Sequence, residues 1–166
     1  MVGRCVIGLA LLGLLGAGCA PAPAPAARLE REPEEMPEIL LEALKEGSDF
    51  VLWSIGSLGR GKATPVKMGN FDALGFTKVK SPETREQLTK AFLESAFADS
   101  QMVVACEVTF RHGIRVRYEG TKFDILICFE CREVFAYQDT VQVARCHIGT
   151  KPEALFDKVL TEAGVK

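Results

Sequence analysis

Apolar positions recur along the chain with two different periods. Leu40, Leu41 and Leu44 recur at helical spacing within 36–46, and Gly47 follows as a stop. Phe50 to Ile55 is apolar on both faces, which predicts a strand. From Gly56 to Gly75 glycine is frequent and no period holds, so a loop with one short strand at most is expected. Ser81-Pro82-Glu83 then opens a helix, with Ser as cap, Pro in the first turn and Glu at the positive dipole end. Leu88, Ala91, Phe92, Ser95 and Ala96 mark its inner side.

The second half reads mainly as strands. Met102 to Phe110 is one. Ile114 to Tyr118 and Lys122 to Phe129 flank Glu119-Gly120 as a hairpin. Glu133 to Tyr137 and Val141 to Ile148 form another pair around Gln138-Asp139-Thr140. Thr150-Lys151-Pro152-Glu153 fits a capping box, and the last helix should bury Leu155, Phe156, Val159, Leu160 and Ala163. The expected fold is α+β: a mostly antiparallel sheet of about five strands with helices packed on one face.

The N-terminus breaks this pattern. Arg4 precedes a nearly pure apolar run, Val6 to Leu15, and small residues follow up to Cys19. This is the anatomy of a secretory signal, and the run is shorter than the ~20 residues a membrane span needs. Gly16-Ala17-Gly18-Cys19 resembles a bacterial lipobox, although Gly16 stands where Leu, Val or Ile is usual. The resemblance implies removal of 1–18 and lipid on Cys19, with plain secretion and an uncleaved anchor as alternatives. Residues 19–35 are rich in Pro and Ala and then in charge, a tether with little to bury. Ala20 after Cys19 is not Asp, and by resemblance to Gram-negative sorting this favours the outer membrane. Residues 36–166 are the single folded domain.

Composition changes the picture little. The chain has 166 residues, 48% hydrophobic and 25% charged, with a net charge of −2. That excludes a wholly disordered chain and argues against a nucleic-acid partner, which usually meets a basic excess. Gly56 to Ala63 matches a phosphate-binding GxxxxGK loop, but Pro65 and Gly69 spoil the helix that must follow. Ala63 also stands where Ser or Thr would hold magnesium, so a glycine-rich connection is the reading taken.

Candidate chemistry centres on cysteine. Cys106, Cys128, Cys131 and Cys146 belong to the body, with His112 and His147 nearby in sequence. In an oxidising compartment they suggest one or two disulfides, with the pairing open. Zinc is the sharper alternative: Cys128 and Cys131 in a CxxC between strands, completed by Cys106 and His112 if one unbroken strand gives both the same parity. Cys146 and His147 are adjacent and would face opposite ways on a strand. A redox CxxC is the third reading, though no helix begins there to activate a thiol. Arg111, Arg115 and Arg117 would share one sheet face, where an anion could bind or where Asp124 and Glu119 could pair with them. His112 has the parity of Ile114 and Val116, as a half-buried, satisfied histidine would.

Four stretches carry a family resemblance: FDALGFTKVKSPETREQL, RHGIR, FDILICFECREVFAY and LFDKVLTEAGV. They resemble a group of small uncharacterised bacterial proteins, many exported or lipid-anchored. The likeness runs from about Asp49 to the C-terminus and implies domain limits, but no chemistry. In that group Cys-Phe and a Pro tend to precede Arg-His, whereas Cys106-Glu107-Val108-Thr109-Phe110 stands here. The expected function is a lipid-anchored accessory or binding module at the cell envelope, contacting the membrane through its lipid and an envelope protein through its body. It needs no cofactor and no catalytic residue. Zinc binding through the CxxC and thiol-redox chemistry are the alternatives.

Overall fold

In order along the chain the elements are α1 (Glu38–Glu46), β1 (Ser48–Ile55), β2 (Lys67–Met68), β3 (Phe71–Lys78) and α2 (Pro82–Ala98). Then follow β4 (His112–Tyr118), β5 (Thr121–Cys128), β6 (Glu133–Gln138), β7 (Val141–His147) and α3 (Glu153–Glu162). They come from a computed structural model that describes residues 36–56, 67–98 and 106–165. The signal, Cys19, the tether, the 57–63 part of the phosphate-loop look-alike and residues 102–105 lie outside the described residues.

The architecture is α+β. Seven strands form one sheet in the order β2-β3-β1-β4-β5-β6-β7, and every neighbouring pair is antiparallel. Strand alternation sorts side chains into two clusters. On one face Leu52, Ile114, Val116, Phe123, Ile125, Ile127, Val134 and Ala136 join Leu40 and Leu44 of α1, Leu88 and Phe92 of α2, and Phe156 and Leu160 of α3. On the other, Val51, Trp53, Ile55, Leu126 and Cys128 join Met68, Ala73, Phe110 and Cys131. We call these the helix face and the outer face. β5, between β4 and β6, is buried on both faces from Phe123 to Cys128, which explains an apolar run that only Asp124 interrupts.

Turn chemistry sets the hairpins. Glu119 (φ 49°) and Gly120 (φ 79°) are both left-handed, as a two-residue turn matching the sheet twist requires. Asp139 (φ 53°) plays the same part between β6 and β7, and its N–H donates to the Lys122 carbonyl at 2.7 Å. Ser81 caps α2 as expected: its Oγ accepts the Thr84 N–H at 3.1 Å and donates to Glu83 Oε2 at 2.7 Å.

Several expectations need correction. Residues 106–111 form no strand; they are a strap laid over the outer face, and β4 starts only at His112. A strand stands instead at β3, hidden from the sequence by Gly75. Its hairpin with β2 turns on Gly69 (φ 61°), and the Cβ that Gly75 lacks would lie 2.8 Å from Val165. Gly47 ends α1 in extended rather than left-handed backbone (φ −60°, ψ 166°). Glycine is needed there for space, since a Cβ would lie 2.7 Å from the Arg117 carbonyl. The capping box at Thr150 does not form; Glu153 N–H donates to the Thr150 carbonyl, and no side chain caps α3. Ala163 is exposed because α3 stops at Glu162 in a Schellman turn. There Gly164 (φ 73°) donates to Thr161 O and Val165 N–H returns to Leu160 O at 2.8 Å.

Candidate functional site

Three of the four body cysteines meet on the outer face. Cys128 ends β5, Cys131 sits in the turn to β6, and Cys106 begins the strap. Arg132 takes a left-handed conformation (φ 56°) and its N–H donates to the Phe129 carbonyl at 3.2 Å, which closes the turn. Cys106 and Cys131 are joined by a disulfide, with Cα atoms 5.5 Å apart and a separation of 25 in sequence. Cys128 is a free thiol, 1% exposed, and its Sγ accepts the Cys131 N–H at 3.2 Å. Cys131 is buried too, whereas Cys106 is exposed.

The strap shields this cluster from above. Phe110 makes edge contacts with Phe71 and Phe135, each with ring centres 5.2 Å apart. Backbone bonds hold its far end: Arg111 N–H to Ile127 O at 3.2 Å, and Ile55 N–H to Arg111 O at 2.8 Å. The disulfide holds its near end.

Cys146 belongs to the other face. It pairs with Val134 across β6 and β7 and packs against the helix-face cluster. Burial pushes its thiol up to about 11. His147, its neighbour, places Nδ1 3.4 Å from the Arg132 carbonyl.

His112 also lies on the helix face. It is 5% exposed, and its ring meets the rings of Phe129 (5.2 Å) and Phe156 (6.0 Å) at steep angles. Nε2 lies 2.8 Å from Asp157 Oδ1 of α3, while Nδ1 is buried with no hydrogen-bond partner. Strand parity predicts a half-buried, satisfied histidine; the ring is instead fully buried, with one nitrogen partnered and the other not. The candidate ligand set Cys106, His112, Cys128 and Cys131 is divided: the sheet separates His112 from the cysteines, and two of the three cysteines are bonded to each other. The unbroken strand that would have aligned Cys106 with His112 is absent.

Polar residues cross the outer face in one row. Arg115 stands opposite Asp124 across β4 and β5, and Tyr137 stands opposite Asp124 across β5 and β6. The Arg115 guanidinium grips both Asp124 oxygens, with Nη2 to Oδ2 at 2.9 Å. It also lies over the Trp53 ring, 4.9 Å from its centre. Lys122 adds a second cation, 3.5 Å from Asp124 Oδ2. Arg145 pairs with Glu133 and lies over Phe135. Burial raises the Tyr137 phenol. Of the three arginines read as an anion stripe, Arg115 is thus neutralised. Arg111 precedes β4 and reaches Glu130 at 3.1 Å, and Arg117 is exposed at the far end of the strand. Beside this row Trp53 stacks on Phe76 with ring centres 4.7 Å apart. Leu74 and Phe76 remain about half exposed at 55% and 45%.

A groove of about 620 Å³ lies elsewhere, between the end of α1 and the side of α2. Its arginine, Arg85, donates to the carbonyls of Leu44 (3.1 Å), Lys45 (3.0 Å) and Gly47. It satisfies the open end of α1, and partial burial lowers its pKa. That cation serves the fold rather than a ligand.

No family model, curated protein or solved structure matches the chain. The residues themselves carry the functional reading. Sequence reasoning missed Asp157 and Trp53. Nothing local marks Asp157, one of many surface acids. Trp53 is the only tryptophan of the chain, and it lies on β1, which was itself expected.

Proposed function

We propose that this chain is an exported bacterial lipoprotein. In this reading Cys19 receives the lipid, residues 19–35 tether the body, and the domain is a non-catalytic binding module on the outer membrane. The Cys106–Cys131 disulfide carries the reading, because disulfides form and persist in oxidising compartments. It is independent of the leader-like N-terminus that points to the same place. In this reading α1, α2 and α3 cover one face of the sheet, and the other face meets an envelope protein around Leu74 and Phe76. Half-exposed apolar side chains next to one another on a strand support that surface. The family resemblance, to proteins that are often exported or lipid-anchored, agrees with the anchor.

Fractionation of cells making the full chain tests it. The chain should sediment with the outer membrane, and Cys19→Ala should release it to the soluble periplasm or leave it unprocessed. An unchanged membrane fraction for Cys19→Ala would sink the lipid anchor.

A further inference from the structure

The disulfide has a neighbour able to exchange with it. Cys128 sits at the other end of the turn from Cys131, and its sulfur touches the Cys131 backbone, accepting the N–H at 3.2 Å. Both sulfurs lie in one apolar cluster beneath the strap, at 1% and 3% exposure. Cys106 alone faces solvent. A buried thiol is thus held beside a disulfide whose only accessible sulfur is the one it would displace.

We propose that Cys106, Cys128 and Cys131 form a thiol–disulfide exchange site whose outlet is the Cys106 thiol. The Cys128 sulfur, its proton given to water, attacks Cys131 Sγ. The Cys128–Cys131 bond forms as the Cys106–Cys131 bond breaks. The electron pair leaves on Cys106 sulfur, which takes up a proton from solvent. One disulfide and one thiol are present before and after, so no oxidant or reductant is consumed. The donated Cys131 N–H stabilises charge on Cys128 sulfur as it forms.

Packing of the strap sets the resting side of this equilibrium. The Cys106–Cys131 bridge holds the strap where Val108 and Phe110 fill the outer cluster, and a Cys128–Cys131 bridge would give up that hold. Exchange unties the near end of the strap and presents Cys106 as an exposed nucleophile to a partner's disulfide or to an electrophile. The backbone bonds of Arg111 keep the far end in place. This inference does not rest on the lipid anchor.

Native labelling of the full chain tests it. The protein carries Cys146→Ala to remove the other free thiol of the body, is incubated with a maleimide, quenched in acid and mapped by peptide mass. Mapping separates Cys5 and Cys19 from the body cysteines. Label should accumulate on Cys106 in molecules that carry a Cys128–Cys131 bridge. The same protein with Cys128→Ser should label at Cys106 about tenfold more slowly or not at all. Three results would each overturn the proposal: an unlabelled Cys106, a labelled Cys106 with Cys128 and Cys131 both as thiols, or equal labelling in Cys128→Ser. Wild-type bridge mapping decides the matter even if Cys128→Ser folds poorly.

Discussion

Arg115 and Asp124 face each other across β4 and β5 and close a two-pronged ion pair on the outer face, with the Asp124 carboxylate only 5% exposed. Asp124 is the only polar residue in the run from Phe123 to Cys128, so its presence needs a reason. The pair supplies one: the guanidinium satisfies the carboxylate and covers Trp53 with its flat face. Asp124→Ala strands a half-buried guanidinium and should lower stability by about 3 kcal/mol. Arg115→Lys keeps the charge but loses the fork and the stacking, and should still cost about 1–2 kcal/mol. Urea unfolding followed by Trp53 fluorescence measures both. No loss for Asp124→Ala would show that the pair does not hold this face.

The disulfide closes a long loop, so its reduction should matter. The chain-entropy estimate for a loop of this length is about 3–4 kcal/mol. Unfolding free energies with and without reductant should differ by that amount in the wild type and by nothing in Cys131→Ser. Cys131 is the residue to change, since it takes part in both pairings.

Cys146 gives a pH dependence whose sign is fixed. Its thiol is neutral when protonated, and burial favours the neutral form, raising the pKa from 9.0 to about 11 in the fold. Below pH 9 both folded and unfolded chains hold the proton, and its contribution is fully present. As pH rises from 9 towards 11 the unfolded chain loses a proton the folded chain keeps, and stability falls by up to about 3 kcal/mol. Cys146→Ala should remove this alkaline loss. Subtracting its stability profile from that of the wild type isolates Cys146 from Tyr137.

His112 fills the space among Phe129, Phe156 and α3. His112→Ala should cost about 2–4 kcal/mol by leaving a cavity there. Asp157→Ala should cost about 1 kcal/mol, because its carboxylate is 61% exposed and gives up a single bond. Equal losses from the two changes would mean that the hydrogen bond, not the packing, fixes the ring.

The elements readable in the sequence were those announced by chemistry as well as by period. Ser81-Pro82-Glu83 marks α2 through a cap, and Glu119-Gly120 marks the β4–β5 hairpin through backbone that tolerates positive φ. β3 went unread because Gly75 sits in its middle, and that glycine answers to Val165, ninety residues on. The strap imitated a strand because Val108 and Phe110 are apolar; they are apolar in order to cover the outer cluster, not to pair. For the site, the cysteines were plain but their pairing was not. Spacing in sequence cannot say that the strand stops at His112 and the strap crosses the sheet to bring Cys106 over Cys131.

Disulfide mapping of the full chain, recovered from exporting cells, alkylated in denaturant and digested, tests the central claim most directly. A Cys106–Cys131 bridge with Cys128 and Cys146 alkylated is the result expected of an exported domain built this way. Cys106 and Cys131 both recovered as alkylated thiols would contradict it.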